Sequence, residues 1–328
     1  MPQFDLPLDA LVDYRPERDE PADFDDFWER TLAEQEAAHP LTYVAERVET
    51  GLVAIDTDDV TFTGYGGQPI KAWFHRPAGA TEDLGIVVTY IGYGGGRGLS
   101  HEHTLLAQAG YAVLVMDNRG QGSAHQLGHT GDVAASGPHA AGFLTQGIDD
   151  PETYYYRRLF VDTVRAVDVA RSMPGVDPER VLLSGGSQGG AMALASAALC
   201  TARGVPLRGV IVDVPFLSHV RRCTEITDAL PYAEIVQYLF AHRDLVEQTF
   251  RTVSYFDGVN FAPRISAPVL SSVGLRDVVC PPSAVYAVYN HLASVEKEMK
   301  VYSYNGHENG GPFQDAEHVR FAHRVLAR

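Results

Sequence analysis

The chain has 328 residues, 45% of them hydrophobic and 21% charged, the composition of a globular protein able to fill a large core. Its formal net charge is −16, and a surface this acidic repels phosphate backbones, so nucleic acid is excluded as an expected partner. No stretch approaches the roughly 18 apolar residues of a membrane span, and three widely spaced cysteines (Cys200, Cys223, Cys280) suit neither a disulfide framework nor a cysteine zinc site.

Met1 to Asp5 carries neither a positive charge nor an apolar run. No secretory signal is expected, and a reducing cytoplasm is the simplest compartment. Residues 1–40 read as an N-terminal arm. Within it, Asp23–Glu36 carries Phe24, Phe27, Trp28, Thr31 and Leu32 at the 3–4 spacing of an amphipathic helix. Residues 41–76 alternate and are rich in β-branched side chains. Strands are predicted at Leu52–Ile55, Val60–Thr63 and Ile70–His75, with a turn at Gly64-Tyr65-Gly66-Gly67, as an antiparallel opening to a sheet.

From Gly85 the pattern changes. Buried strands are predicted at Ile86–Tyr90, Ala112–Asp117, Val181–Ser184, Val210–Val214, Val269–Val273 and Lys300–Tyr304. Helices are predicted at Glu102–Ala109, Tyr154–Ser172, Ala191–Leu199, Pro282–Leu292 and Gln314–Leu326. Strands alternating with helices mean an α/β fold on a mostly parallel sheet, here one domain over residues 1–328. Leu217–Phe261 interrupts the alternation with helix-like sequence. It reads either as a lid or oligomer contact or as an ordinary helical excursion.

The chemistry centres on Val181-Leu182-Leu183-Ser184-Gly185-Gly186-Ser187-Gln188-Gly189-Gly190, a buried strand running into G-x-S-x-G and then a small-residue helix. That is the pattern of a sharp strand-to-helix turn that lifts one hydroxyl, Ser187, to the top of a sheet. A serine nucleophile needs a general base, and the base needs an orienting acid. In an α/β-hydrolase they follow in the order Ser, Asp or Glu, His. Asp277 comes after the strand Val269–Val273 and His307 after Lys300–Tyr304, both on the expected carboxyl edge of the sheet. The oxyanion of an acyl-transfer intermediate requires backbone N–H donors, expected from Gln188 and from Tyr93 in the loop Ile91-Gly92-Tyr93-Gly94-Gly95-Gly96. That loop lacks the spacing of a dinucleotide fingerprint and the Lys-Ser/Thr of a phosphate-binding loop. His101-Glu102-His103 lacks H-E-x-x-H spacing and reads as surface polar residues; His125 and His129 have no evident further ligand, and no metal is expected. Arg119 reads as a structural brace and Tyr154-Tyr155-Tyr156 as packing.

Several of these residues together resemble a known family. Phe4-Asp5-Leu6-Pro7-Leu8, Asp23-Phe24-Asp25-Asp26-Phe27-Trp28, Arg119-Gly120-Gln121, Gly185-Gly186-Ser187-Gln188-Gly189-Gly190 and Gly306-His307-Glu308 look like the acetyl xylan esterases and cephalosporin C deacetylases of carbohydrate esterase family seven. Thr153–Arg157, Ser254–Asp257 and Ala287–His291 also match, so the resemblance spans essentially the whole chain. It implies an intracellular, cofactor-independent serine esterase of the α/β-hydrolase fold. The substrates would be small acetyl esters, including acetylated xylo-oligosaccharides and cephalosporin C. It implies a triad of Ser187, Asp277 and His307, oxyanion donors Tyr93 and Gln188, and an acyl pocket of Tyr93, Phe216, Pro231 and Val279. It also implies a homohexamer, a trimer of dimers with active sites facing an internal cavity, in which the arm and the 217–261 insertion carry much of the contact. Three other readings compete with the esterase. Acyl transfer to an alcohol or peroxide would use the same triad. A non-catalytic scaffold would leave the triad without purpose, and a dipeptidyl-type peptidase would need a further domain for which 328 residues leave little room.

Overall fold

The computed structural model describes residues 3–132 and 137–327. Nine strands form one sheet: Tyr43–Val48 (β1), Ile55–Thr63 (β2), Pro69–Pro77 (β3), Leu84–Tyr90 (β4), Ala112–Met116 (β5), Val176–Gly186 (β6), Gly209–Asp213 (β7), Val269–Gly274 (β8) and Lys297–Tyr302 (β9). Their order is β1-β2-β3-β5-β4-β6-β7-β8-β9. The first three strands and the β3–β5 junction are antiparallel, and everything from β5 to β9 is parallel. This is the mostly parallel sheet that the alternating pattern predicts.

Successive side chains of the central strands go to opposite faces, as strand geometry requires. Ile86, Val88, Leu114, Val181 and Leu183 enter the larger core with helices Tyr155–Ser172 and Gln188–Ala202. Val87, Val113, Val115 and Leu182 enter a second core with Phe321 and Ala322 of helix Pro312–Val325. Both faces are therefore covered, which is why the parallel strands read as continuous apolar runs.

The antiparallel end differs from its sequence reading. β2 runs unbroken from Ile55, and the predicted strand Leu52–Ile55 is loop apart from its last residue. β1 lies at an exposed edge, where charge is tolerated and no apolar alternation is needed. The acidic run in β2 is accommodated by cross-strand pairs: Arg47 of β1 meets Asp56 at 2.8 Å and Asp58 at 3.1 Å. The predicted helix Glu102–Ala109 shrinks to Leu105–Gln108, because Glu102 accepts the Leu99 N–H in a turn and His103 sits at φ 55°. β9 starts and ends earlier than predicted, at Lys297–Tyr302.

The N-terminal arm is built into this chain's own core. Helix Phe24–Ala38 buries Phe24, Phe27, Trp28 and Thr31. The Trp28 indole packs on Phe160, Phe256 and Phe261 and donates to the Tyr255 carbonyl at 3.0 Å. The 217–261 segment forms helices Val220–Ile226, Tyr232–Ala241, Val246–Ser254 and Gly258–Phe261. Val220, Cys223, Tyr232, Ile235, Val253 and Phe256 join the same larger core. Among the described residues no helix is long and apolar enough to cross a membrane. Trp28→Ala is expected to destabilise the chain by about 3–5 kcal/mol, the cost of a large emptied core site, read as a lowered urea midpoint.

Candidate active site

β6 ends at Gly186 and helix Gln188–Ala202 begins at Gln188, so Ser187 alone makes the turn. Its backbone takes φ 57°, ψ −122°, a conformation rare for a residue with a side chain. Two bonds fix it: the Ser187 N–H donates to the Asp213 carbonyl at 2.9 Å, and the Phe216 N–H donates to the Ser187 carbonyl at 2.9 Å. Glycine is obligatory at two neighbours. A Cβ on Gly185 would strike the Gly189 carbonyl, and one on Gly189 would strike the Tyr90 carbonyl at the end of β4.

His307 and Asp277 come to this turn from the loops after β9 and β8. His307 Nε2 is 2.9 Å from Ser187 Oγ, and His307 Nδ1 is 2.9 Å from Asp277 Oδ2. Asp277 is fully buried. Its Oδ1 accepts the Val279 and Cys280 N–H groups at 2.8 and 2.9 Å, leaving Oδ2 for the imidazole. An ionised carboxylate only accepts, so Nδ1 carries the proton and the neutral ring offers the lone pair of Nε2 to the serine hydroxyl. Glu308 steadies the His307 loop by accepting from the Gly306 N–H and the Asn305 amide, both at 3.0 Å.

The glycine loop after β4 lies against the turn, with the Cβ direction of Gly92 4.0 Å from Ser187 Cβ. Among the described residues, neither the Tyr93 nor the Gln188 backbone N–H donates within the protein. Both are thus available to a ligand oxygen. Gln121 joins the two segments: its Oε1 accepts the Gly94 N–H at 2.7 Å and its Nε2 donates to Gln188 Oε1 at 2.9 Å. The Tyr156 hydroxyl also donates to Gln188 Oε1, at 3.0 Å, and the Tyr155 hydroxyl donates to the Arg119 carbonyl at 2.7 Å. The three tyrosines are therefore buried packing, and Tyr155 and Tyr156 also brace the turn. Arg119 is a structural brace: fully buried, it holds Asp162 at 2.6 and 2.8 Å and Asp132 at 3.1 Å.

Around the same place the Tyr93 ring meets Phe216 edge-on at 5.9 Å, and Phe216 packs on Tyr232 at 4.8 Å. Pro231 immediately precedes Tyr232 at the start of its helix. Phe216 and Pro231 are buried, whereas Tyr93 and Val279 are half-buried. Of His101, Glu102, His103, His125 and His129, none is hydrogen-bonded to the Ser187, His307 or Asp277 side chains among the described residues, and His125 packs against Gly95 of the glycine loop. His103 pairs with the Gln126 amide at 3.0 Å, and among the described residues no group of three or more His, Cys, Asp or Glu is placed to hold a metal ion.

Sequence reasoning missed the support beneath Ser187. Asp213, at the end of β7, is buried and presents its carbonyl to Ser187. Its carboxylate accepts from Ser272 Oγ and Gln314 Nε2 at 2.7 Å each and faces His318 Nε2 at 2.6 Å. Burial opposes protonation of His318, but Asp213 more than offsets it, and the imidazole pKa is raised above its ordinary value. An acid at a strand end was the available signal, although nothing in the sequence pairs it with a histidine on the last helix. Cys280, three residues after Asp277, also lies at the site. It is buried, its N–H donates to Asp277 at 2.9 Å, and burial pushes its thiol pKa well up.

The acetyl xylan esterase (AXE1) family matches the chain over residues 1–325. An acetyl esterase of Xylanibacter ruminicola is 28% identical over 307 residues, and the match spans 89% of this chain but only 65% of that protein's length. An acetyl xylan esterase from Paenibacillus sp. R4 superposes with a TM-score of 0.89 at 39% identity, covering 98% of this chain and 100% of that one. Acetyl xylan esterase 1 from Thermoanaerobacterium sp. gives 0.86 at 33% identity, covering 99% and 100%.

The Asp213–His318 pair has a pH signature. A raised histidine pKa contributes stability that is fully present below the ordinary imidazole value of 6.5 and is lost as pH rises through the raised one. His318→Gln should therefore lower the urea midpoint most near about pH 6, with the gap to the unsubstituted protein narrowing by about pH 9.

Proposed function

The chain belongs to the acetyl xylan esterase family, of α/β-hydrolase fold, and from that membership we propose that it is a serine esterase releasing acetate from small acetyl esters. The observation that carries this reading is the unbroken chain of hydrogen bonds from Asp277 through His307 to Ser187, 2.9 Å at each link.

As Ser187 Oγ bonds to the acetyl carbonyl carbon, His307 Nε2 takes its proton. Asp277 keeps the ring oriented and offsets the imidazolium charge. The carbonyl oxygen becomes an oxyanion, received by the Tyr93 and Gln188 N–H groups. The tetrahedral adduct then collapses. The bond to the alcohol oxygen breaks, His307 returns its proton to that oxygen, and an acetyl ester remains on Ser187. Water, deprotonated by His307, attacks this ester, and acetate leaves as the proton returns to Ser187.

The reading assigns the acyl pocket to Tyr93, Phe216, Pro231 and Val279, a small pocket that would favour acetyl over longer acyl groups; the contacts of Phe216 with Tyr93 at 5.9 Å and with Tyr232 at 4.8 Å support it. Acetylated xylo-oligosaccharides and cephalosporin C-type acetyl esters are the proposed substrates. The reading extends to a cytoplasmic homohexamer, for which light scattering is the direct check.

Ser187→Ala should lower kcat on a chromogenic acetyl ester by at least about a thousandfold, and Asp277→Asn by a comparable factor. Near-full activity in either variant would refute the assigned roles. Along an acyl series from acetate to octanoate, kcat/KM should fall steadily; preference for octanoate would remove the small-pocket assignment.

A further inference from the structure

Glu234 lies on helix Tyr232–Ala241 of the 217–261 segment, far from Tyr93 in sequence. Yet both of its carboxylate oxygens accept the Tyr93 hydroxyl, at 2.8 and 2.9 Å. The phenol oxygen in turn accepts the Phe143 N–H at 2.8 Å, with the Gly142 and Leu144 N–H groups at 3.2 and 3.3 Å. The Leu144 N–H also reaches Glu234 Oε2 at 3.2 Å, and the Leu144 carbonyl accepts the Tyr154 hydroxyl at 2.8 Å. Three separate segments thus converge on one oxygen: the glycine loop after β4, the 142–144 loop and the inserted helix. Phe143 and Phe216 flank the Tyr93 ring edge-on, at 5.7 and 5.9 Å.

Among the described residues Glu234 has no Lys, Arg or His within ion-pair distance. Burial pushes its pKa up, and its hydrogen bonds to Tyr93 and Leu144 act against that. A half-buried acid without a cation carries a desolvation cost that the hydrogen bonds from Tyr93 and Leu144 offset only in part. The carboxylate does supply one thing an apolar residue cannot, a two-oxygen acceptor that fixes a phenol in direction. Tyr93 is the residue whose own N–H must point at the oxyanion, and such donors act through being held in advance.

We propose that Glu234 is a positioning residue for the acyl-transfer step, holding the Tyr93 N–H on the oxyanion through the Tyr93 hydroxyl and so making the inserted helix part of the catalytic geometry. This rests on the esterase reading above. Its consequence is selective: ground-state binding of the ester hardly involves that N–H, whereas the tetrahedral adduct depends on it.

The test compares Glu234→Ala, Glu234→Gln, Tyr93→Phe and the Glu234→Ala/Tyr93→Phe double variant on 4-nitrophenyl acetate. Functional sites are counted in each with a covalent serine-directed phosphonate. Per titrated site, Glu234→Ala should lose about tenfold in kcat, a fraction of the loss when a whole oxyanion donor is removed, with KM within about twofold. Glu234→Gln keeps an acceptor and should recover most of the loss. Tyr93→Phe should match Glu234→Ala, and the double variant should lose no more than either single one. Unchanged kcat per site in Glu234→Ala would overturn the proposal. So would additive losses in the double variant, or a loss that appears wholly as fewer titratable sites. Failure of the phosphonate to label the unsubstituted protein would overturn the esterase reading and this proposal together.

Discussion

The site depends on how closely helix Gln188–Ala202 approaches the ends of β4 and β6. That approach leaves no room for a side chain at Gly185 or Gly189 and forces Ser187 to turn the chain by itself at φ 57°. A turn this tight exposes one side chain at the carboxyl edge of a parallel sheet, where the loops after neighbouring strands converge. The strain stored there is sustained by bonds on both sides of the serine, from Asp213 behind and Phe216 ahead. Asp213 is itself held by Ser272, Gln314 and His318, so the last helix and β8 contribute to the position of a residue neither of them touches.

A second layer of polar contacts fixes the glycine loop relative to the turn. Gln121 bonds to Gly94 on one side and Gln188 on the other, and Asn118 donates to the Ile91 and Gly95 carbonyls at 3.1 and 2.9 Å. These amides are buried, so losing a partner would leave an unsatisfied group in a low-dielectric interior. Rigid placement is what a pair of N–H donors needs if they are to meet developing charge without reorganising.

Much of this was legible in the sequence. The parallel strands announced themselves as apolar runs because both faces of the sheet are covered, and the G-x-S-x-G turn stood between a strand and a helix pattern. Ser187, Asp277 and His307 each followed a predicted strand, and the structure brings the three within hydrogen-bonding distance. Edge strand β1 was not legible, because an exposed strand with cross-strand ion pairs carries no apolar alternation. The partners of Asp213 and Tyr93 were hidden for a different reason. His318 and Glu234 lie 105 and 141 residues from them, on helices whose patterns report only which face is buried. Pairing across such separations is set by packing, and no local signal encodes it.

The central claim is that Ser187 carries the acetyl group in mid-reaction, and trapping that species tests it most directly. The protein would be mixed with an excess of a small acetyl ester, quenched in acid during the first turnover, digested and analysed by mass spectrometry. An acetyl group on the peptide holding Ser187, appearing before acetate accumulates and vanishing when substrate is exhausted, is the expected result. Full-rate ester hydrolysis with Ser187 unmodified at every quench time, or with the acetyl group on another residue, would contradict it.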